Sequence, residues 1–173
     1  MLNYGGYAQT YFNEKTDALA NKGLYNKTND PVLTTNTTVS KDYNYAAFNN
    51  NMGISFIGGS LVLNSGTDLK LYYSMDDQNM ANNINVSVNG QNVAPEYDGN
   101  IMCVRVPDIS ISSLGDTYNV KISVNGKEVN QKYSAMTYMY KALNEQNSNT
   151  KLNNVVKALY LYNEAAKQYS MGN

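Results

Sequence analysis

Acidic side chains could carry the most demanding chemistry in this chain. Glycoside hydrolysis needs two carboxyl groups flanking the scissile bond, one protonated and one ionised or acting as nucleophile. The candidates are Asp76 and Asp77, Glu96 with Asp98, Asp108 and Asp116. All fall in or beside segments that read as turns, where aspartate ordinarily accepts hydrogen bonds from nearby backbone. No spacing among them places two across one cleft, so they read as structural. Asp76-Asp77-Gln78-Asn79 offers oxygen ligands for calcium but lacks the glycine and closing glutamate of an EF-hand loop. No metal ligand is assigned.

Other routes to catalysis are poorly supplied. The chain has no His and one Cys, Cys103. That excludes Ser-His-Asp and Cys-His triads, His–Cys zinc sites and an internal disulfide. The serines of Ile109-Ser-Ile-Ser-Ser113 have no adjacent base and no G-x-S-x-G around them. The glycine pairs lack the strand–glycine–helix order or the lysine of a phosphate loop, so no cofactor is expected. Cys103 lies in the strand-like run Ile101-Met-Cys-Val-Arg-Val-Pro107, where a free cysteine serves as a small buried hydrophobe.

Tyrosine is the remaining resource, with 16 copies and no Trp. A tyrosine ring buries apolar area while its hydroxyl hydrogen-bonds, a combination suited to the faces and edges of sugars. Tyr72 alternates with Leu69, Leu71 and Tyr73 so as to point away from the core, and Tyr97 sits at a strand end. These two residues form the candidate ligand platform. The plainer reading is that solitary exposed aromatics are ordinary, and that the helical tyrosines belong to the core.

Charge is nearly balanced, with 13 basic and 14 acidic residues and a net charge of -1. Arg105 is the only arginine. Such a surface does not suit phosphate neutralisation, so no nucleic-acid partner is expected. No apolar run approaches the length of a membrane span, so no membrane insertion is expected. The abundance of Asn and Tyr is a bias that an AT-rich genome produces without functional cause. Asn26-Lys-Thr28, Asn36-Thr-Thr38 and Asn85-Val-Ser87 match the glycosylation pattern and read as accidental.

The elements that position these residues follow from periodicity. Leu2 to about residue 13 and Leu152 to Tyr169 carry Tyr, Ala and aliphatic residues at helical spacing. Gly5-Gly6 weakens the first helix, so tertiary packing must hold it. Thr16 can cap a short turn through Asn21. Residues 24–51 lack periodicity and read as a long irregular connection, anchored by Tyr43, Tyr45 and Phe48.

From Gly53 the period changes to two. Ile54–Ile57 leads to a turn at Gly58-Gly59, then Leu61–Leu63 and a second turn at 64–66. Leu69–Met75 alternates cleanly. Asp76–Asn83 reads as a polar loop. Ile84–Val88, Val93–Tyr97, Ile101–Val106, Tyr118–Val124 and Glu128–Tyr133 follow, with Pro95 marking an edge strand. Asn89-Gly90 and Asn125-Gly126 fit two-residue type I′ hairpins. Ser87-Val-Asn-Gly90 and Ser123-Val-Asn-Gly126 are identical, but four residues read as convergent hairpins more readily than as a duplication. Ser134 caps a helix from Ala135 to about residue 145, with Met136, Met139, Tyr140 and Leu143 on its apolar side.

Met1-Leu-Asn-Tyr-Gly…Ala8-Gln-Thr-Tyr11-Phe12, Thr16-Asp17-Ala-Leu19-Ala20-Asn21, Gly53-Ile-Ser-Phe…Gly59-Ser-Leu-Val-Leu63 and Val156-Lys-Ala-Leu-Tyr-Leu-Tyr162-Asn-Glu-Ala-Ala166 resemble a segment recurrent in secreted and cell-surface proteins of low-GC Gram-positive (Firmicutes) gut bacteria. The resemblance covers both helical ends and the first hairpin, and is patchy over residues 24–51. It implies an uncharacterised extracellular module beside other modules, and carries no catalytic motif.

The expectation is therefore a mainly β, α+β fold: an antiparallel β-sandwich of about eight strands packed with N- and C-terminal helices. Residues 1–173 form one module excised from a longer chain, with a helical segment over 1–23, a connection over 24–51, a sandwich over 52–133 and helices over 134–170. Its expected work is structural or adhesive, at the bacterial surface or outside it, with neighbouring modules of the same polypeptide as partners. The alternatives are a carbohydrate-binding module that takes polysaccharide on exposed Tyr and Asn, and a fragment of a glycan-active hydrolase. The terminal helices should touch each other or cover one sheet.

Overall fold

Alternating apolar residues in the middle of the chain form strands, and apolar stripes at helical spacing form helices at its ends. The computed structural model describes residues 2–13, 48, 51–63, 66–144 and 149–172. The chain divides into two compact units, one of Met1–Lys41 with Met139–Asn173, the other of Asp42–Tyr138. The expected capped turn over residues 16–21 lies outside the described residues, as do residues 64–65 and the connection over 24–51, apart from residues 48 and 51.

Among its described residues the β unit holds eight strands in two antiparallel sheets. In chain order they are β1 (Ile54–Leu63), β2 (Thr67–Met75), β3 (Ile84–Val88), β4 (Gln91–Val93), β5 (Glu96–Asp98), β6 (Ile101–Ile109), β7 (Tyr118–Val124) and β8 (Lys127–Tyr133). The first sheet has the order β1-β2-β6-β5 and the second β4-β3-β7-β8. Period-2 burial explains the assembly: Leu69, Leu71, Tyr73 and Met75 of β2 are buried, as are Met102, Val104 and Val106 of β6. Val86 and Val88 of β3 and Val120, Ile122 and Val124 of β7 supply the facing layer. Rings of the two sheets meet directly, with Phe56 on β1 5.6 Å from Tyr133 on β8. Phe48 packs 5.2 Å from Tyr73, the anchoring expected of it.

Two local expectations need correction, and they offset each other in the strand count. Gly58-Gly59 is not a turn: β1 runs through it, with a bulge between Phe56 and Gly58. A Cβ at Gly59 would lie 3.2 Å from the Tyr133 ring and 3.3 Å from Leu71, so the glycine makes room for an aromatic side chain of the opposite sheet. Conversely, the strand expected over Val93–Tyr97 is two strands. It breaks at Ala94-Pro95, with β4 an edge of the second sheet and β5 an edge of the first. Proline, lacking an N–H for the ladder, sits where the chain leaves one sheet for the other. The loop expected over Asp76–Asn83 contains a 3-10 helix, Gln78–Asn83.

The two Asn-Gly turns adopt the expected geometry, with φ of 49° and 83° at Asn89-Gly90, and 50° and 80° at Asn125-Gly126. Their positions are also related. Exchanging β1–β4 for β5–β8 leaves both sheet orders unchanged apart from direction. A 3-10 helix follows the second strand of each half. The repeated Ser-Val-Asn-Gly thus occupies equivalent hairpins of a two-fold topology.

In the helical unit, α1 (Leu2–Tyr11) and α3 (Thr150–Met171) pack antiparallel. Tyr4 lies 6.0 Å from Tyr162. At the other end of the pair, Lys151 Nζ donates to Asn13 Oδ1 at 3.3 Å. Gly6 is buried in α1, and Val155, Val156, Ala158 and Leu159 are buried in α3. The terminal helices therefore touch each other. Helix α2 (Ala135–Asn144) starts at Ser134, as expected. Ser134 Oγ accepts from Thr137 N at 2.9 Å, while Thr137 Oγ1 accepts from Ser134 N at 3.3 Å, a reciprocal cap that satisfies two amides. Asn149 caps α3 by accepting from Leu152 N.

Candidate binding face

Register decides which candidate residues share a surface. Gly58, Tyr72, Cys103 and Glu96 form one row across β1, β2, β6 and β5. The next row contains Ser60, Lys70 and Arg105. These rows lie on the face of the first sheet turned away from the core, because their neighbours Tyr73, Leu71, Met102 and Val104 are the buried set. Tyr72 is half-buried. Its hydroxyl lies 3.3 Å from Ser60 Oγ. A Cβ built on Gly58 meets nothing within 4 Å, so the surface beside the Tyr72 ring is open there. Lys70 Nζ pairs with Glu96 Oε2 at 3.5 Å across this face.

Tyr97 belongs to the other face. Phe56, Tyr73, Met102 and Tyr97 form the adjacent row, which faces the core. Tyr97 is still 41 % exposed because β5 is a three-residue edge strand. Partial burial raises its phenol pKa. The structure thus separates the two tyrosines by the thickness of a sheet and does not join them in one platform. Gly58, Ser60, Lys70 and Glu96 are the residues it gathers with Tyr72. Lys70 was visible in the alternation of β2, whereas Gly58 was hidden by reading Gly58-Gly59 as a turn.

Two of the acidic candidates, Asp77 and Glu96, have their carboxylates engaged by neighbouring groups. Asp77 Oδ1 accepts from Asn79 N at 2.8 Å and caps the 3-10 helix. Asp76 Oδ2 would lie 2.9 Å from a Cβ at Gly53. Glu96 is held by Lys70. Asp108 sits at φ 55° in an irregularity of the β2–β6 ladder, where Pro107-Asp108 oppose the single residue Asp68.

Asp68 was absent from the sequence candidates, yet it is the most heavily bonded carboxylate among the described residues. One oxygen accepts from Asp108 N at 2.9 Å, and the other accepts from Arg105 Nε at 3.0 Å and from Arg105 Nη2. The Asp108 amide is the leading cause that holds the Asp68 carboxyl below the usual range; Arg105 adds to it against the opposing effect of burial. This cluster fixes the bulge and presents no open coordination. Among the described residues, no group of three or more His, Cys, Asp or Glu is placed to hold a metal ion.

Cys103 is buried between its neighbours on the outer face, and burial raises its thiol pKa. That suits a packed thiol and not a nucleophile. Among the described residues no helix is long and apolar enough to cross a membrane. Compared with known protein families, curated proteins and solved structures, the chain matches none.

Proposed function

We propose that this chain is a non-catalytic structural or adhesive module of a bacterial extracellular or cell-surface protein. The observation that carries this reading is the engagement of three of its carboxylates. Asp68 pins a bulge, Asp77 caps a helix and Glu96 pairs with a lysine. Groups so engaged serve the scaffold, whereas a hydrolase needs a carboxyl poised to give a proton.

Carbohydrate binding is the second reading, favoured by the Tyr72 ring beside the open surface at Gly58, with Ser60, Lys70 and Glu96 around it. Native affinity electrophoresis against soluble plant, host and bacterial wall polysaccharides tests both, with reducing ends assayed in parallel. Retardation by one polymer, lost in Tyr72→Ala without a change in melting temperature, assigns a glycan-targeting role to this face. Absence of both retardation and hydrolysis leaves the spacing or docking role. Release of reducing ends overturns the non-catalytic reading.

A further inference from the structure

The two Asn-Gly turns match in sequence and differ in what surrounds them. Asn89 and Asn125 each follow Ser-Val, precede Gly and are exposed, with φ of 49° and 50°. Asn89 is clamped: its Oδ1 accepts from Asn119 N at 2.8 Å, and its own N–H donates to Asn119 O at 2.9 Å. The cause is strand order. β3 lies between β4 and β7 and pairs Val88 with Val120, which sets Asn119 beside the turn. At the other hairpin, β7 pairs Val124 with Ile84, the first residue of β3. No β3 ladder residue therefore lies beside Asn125, and among the described residues its side chain makes no hydrogen bond.

We propose that Asn125 is a site of spontaneous deamidation, and that Asn89, in the same tetrapeptide, is protected by Asn119. The backbone nitrogen of Gly126 loses its proton to solvent base and attacks Cγ of Asn125. A nitrogen–carbon bond forms, the bond from Cγ to the side-chain nitrogen breaks, and that nitrogen leaves as ammonia after gaining a proton. Water then opens the five-membered imide at either carbonyl, giving aspartate or isoaspartate. The net reaction consumes one water, releases one ammonia and transfers no electrons to or from an external partner. Gly126 has no Cβ to obstruct the approach, and Asn125 is free to rotate its amide toward the Gly126 nitrogen. At Asn89 the Asn119 N–H polarises the carbonyl, which alone would favour attack. The same bond fixes the side-chain rotamer, and its companion holds the backbone, so Cγ cannot swing onto the Gly90 nitrogen. Immobilisation outweighs polarisation because the reaction needs a near-attack geometry before any bond can form.

Conversion at Asn125 adds a negative charge beside Lys127 and Glu128. Isoaspartate also lengthens the backbone of a two-residue turn whose geometry sets the β7–β8 register. The test is incubation of the full folded chain in mildly alkaline ¹⁸O-water, with peptide mass spectrometry of both turns. The mass gain should appear about tenfold faster at Asn125 than at Asn89, a ratio equivalent to one modest hydrogen bond. In urea the two rates should converge, because the local sequence is shared. Asn125→Gln should remove the fast signal. Equal rates in the folded chain, a faster Asn89, or a ratio that persists in urea would each overturn the proposal.

Discussion

Tyr73 Oη donates a 2.6 Å hydrogen bond to Gln131 Oε1, joining the second strand of one sheet to the last strand of the other inside the core. Both residues are fully buried. Gln131 Nε2 is also buried, with no hydrogen-bond partner among the described residues. The glutamine thus depends on the tyrosine for its one polar contact there, and burial drives the Tyr73 pKa strongly upward.

Removing that hydroxyl should therefore cost more than an average hydrogen bond. Tyr73→Phe strands the whole Gln131 amide in an apolar interior and should destabilise the fold by about 1–3 kcal/mol in urea unfolding. Pairing it with Gln131→Met replaces the amide by an apolar chain of similar shape, and the double variant should recover part of the loss. Additive losses in the double-mutant cycle would show that the two side chains do not act as a pair.

Asp68 makes stability depend on acid. Its carboxyl pKa is lowered in the fold, chiefly by the Asp108 amide and then by Arg105. A depressed folded pKa gives stability that is present above the ordinary aspartate value of about 4 and lost as pH falls through the lower folded value. Asp68→Asn should cost about 2 kcal/mol at neutral pH and flatten the acid limb of the stability profile. An acid limb of unchanged steepness in this variant would assign acid unfolding to other carboxylates.

At alkaline pH the sign reverses, and Tyr4 makes the helical pair sensitive, as the buried Tyr73 does the β unit. Tyr4 is pushed up to about 12, first by burial and then by Tyr162. Stability tied to a raised pKa is intact below the unfolded value of about 10 and is lost as pH rises through the folded one. Helical circular dichroism should decline over that interval together with tyrosinate absorbance. Tyr4→Phe should reduce the decline, and an equal decline in this variant would implicate other tyrosines.

Adjacent glycines provide a matched packing test. Gly59→Ala drives a Cβ into the Tyr133 ring and Leu71 and should lower stability by about 1–3 kcal/mol. Gly58→Ala enters open space and should change stability little. Equal effects of the two substitutions on the thermal midpoint would contradict the placement of Gly59 under Tyr133.

Much of the secondary structure was legible because its causes are local. Alternation in Leu69–Met75 and Tyr118–Val124 reports a half-buried strand. Asn-Gly reports φ > 0 at two successive residues, and Ser134 reports a helix start. Reading failed where a distant residue overrode a local signal. Gly58-Gly59 looks like a turn until Tyr133 is known to lie over it. Val93–Tyr97 looks like one strand until its halves join different sheets. Of the candidate site, Tyr72's outward direction followed from the period of two, but Tyr97's face depended on which residue of β6 it meets.

The sequence alone determined the type and order of most elements, the lack of histidine chemistry and the near-neutral charge, since these are properties of single residues and their neighbours. Tertiary structure decided what those elements bring together. It set Asp68 against Arg105 across 37 positions of chain. It placed Tyr72 and Tyr97 on opposite faces, and it clamped one Asn-Gly turn through Asn119 while leaving its twin unclamped. Strand order and register fix such relations, and both arise from the burial of two whole sheet faces, a free-energy minimum of the entire β unit that no short stretch of sequence contains.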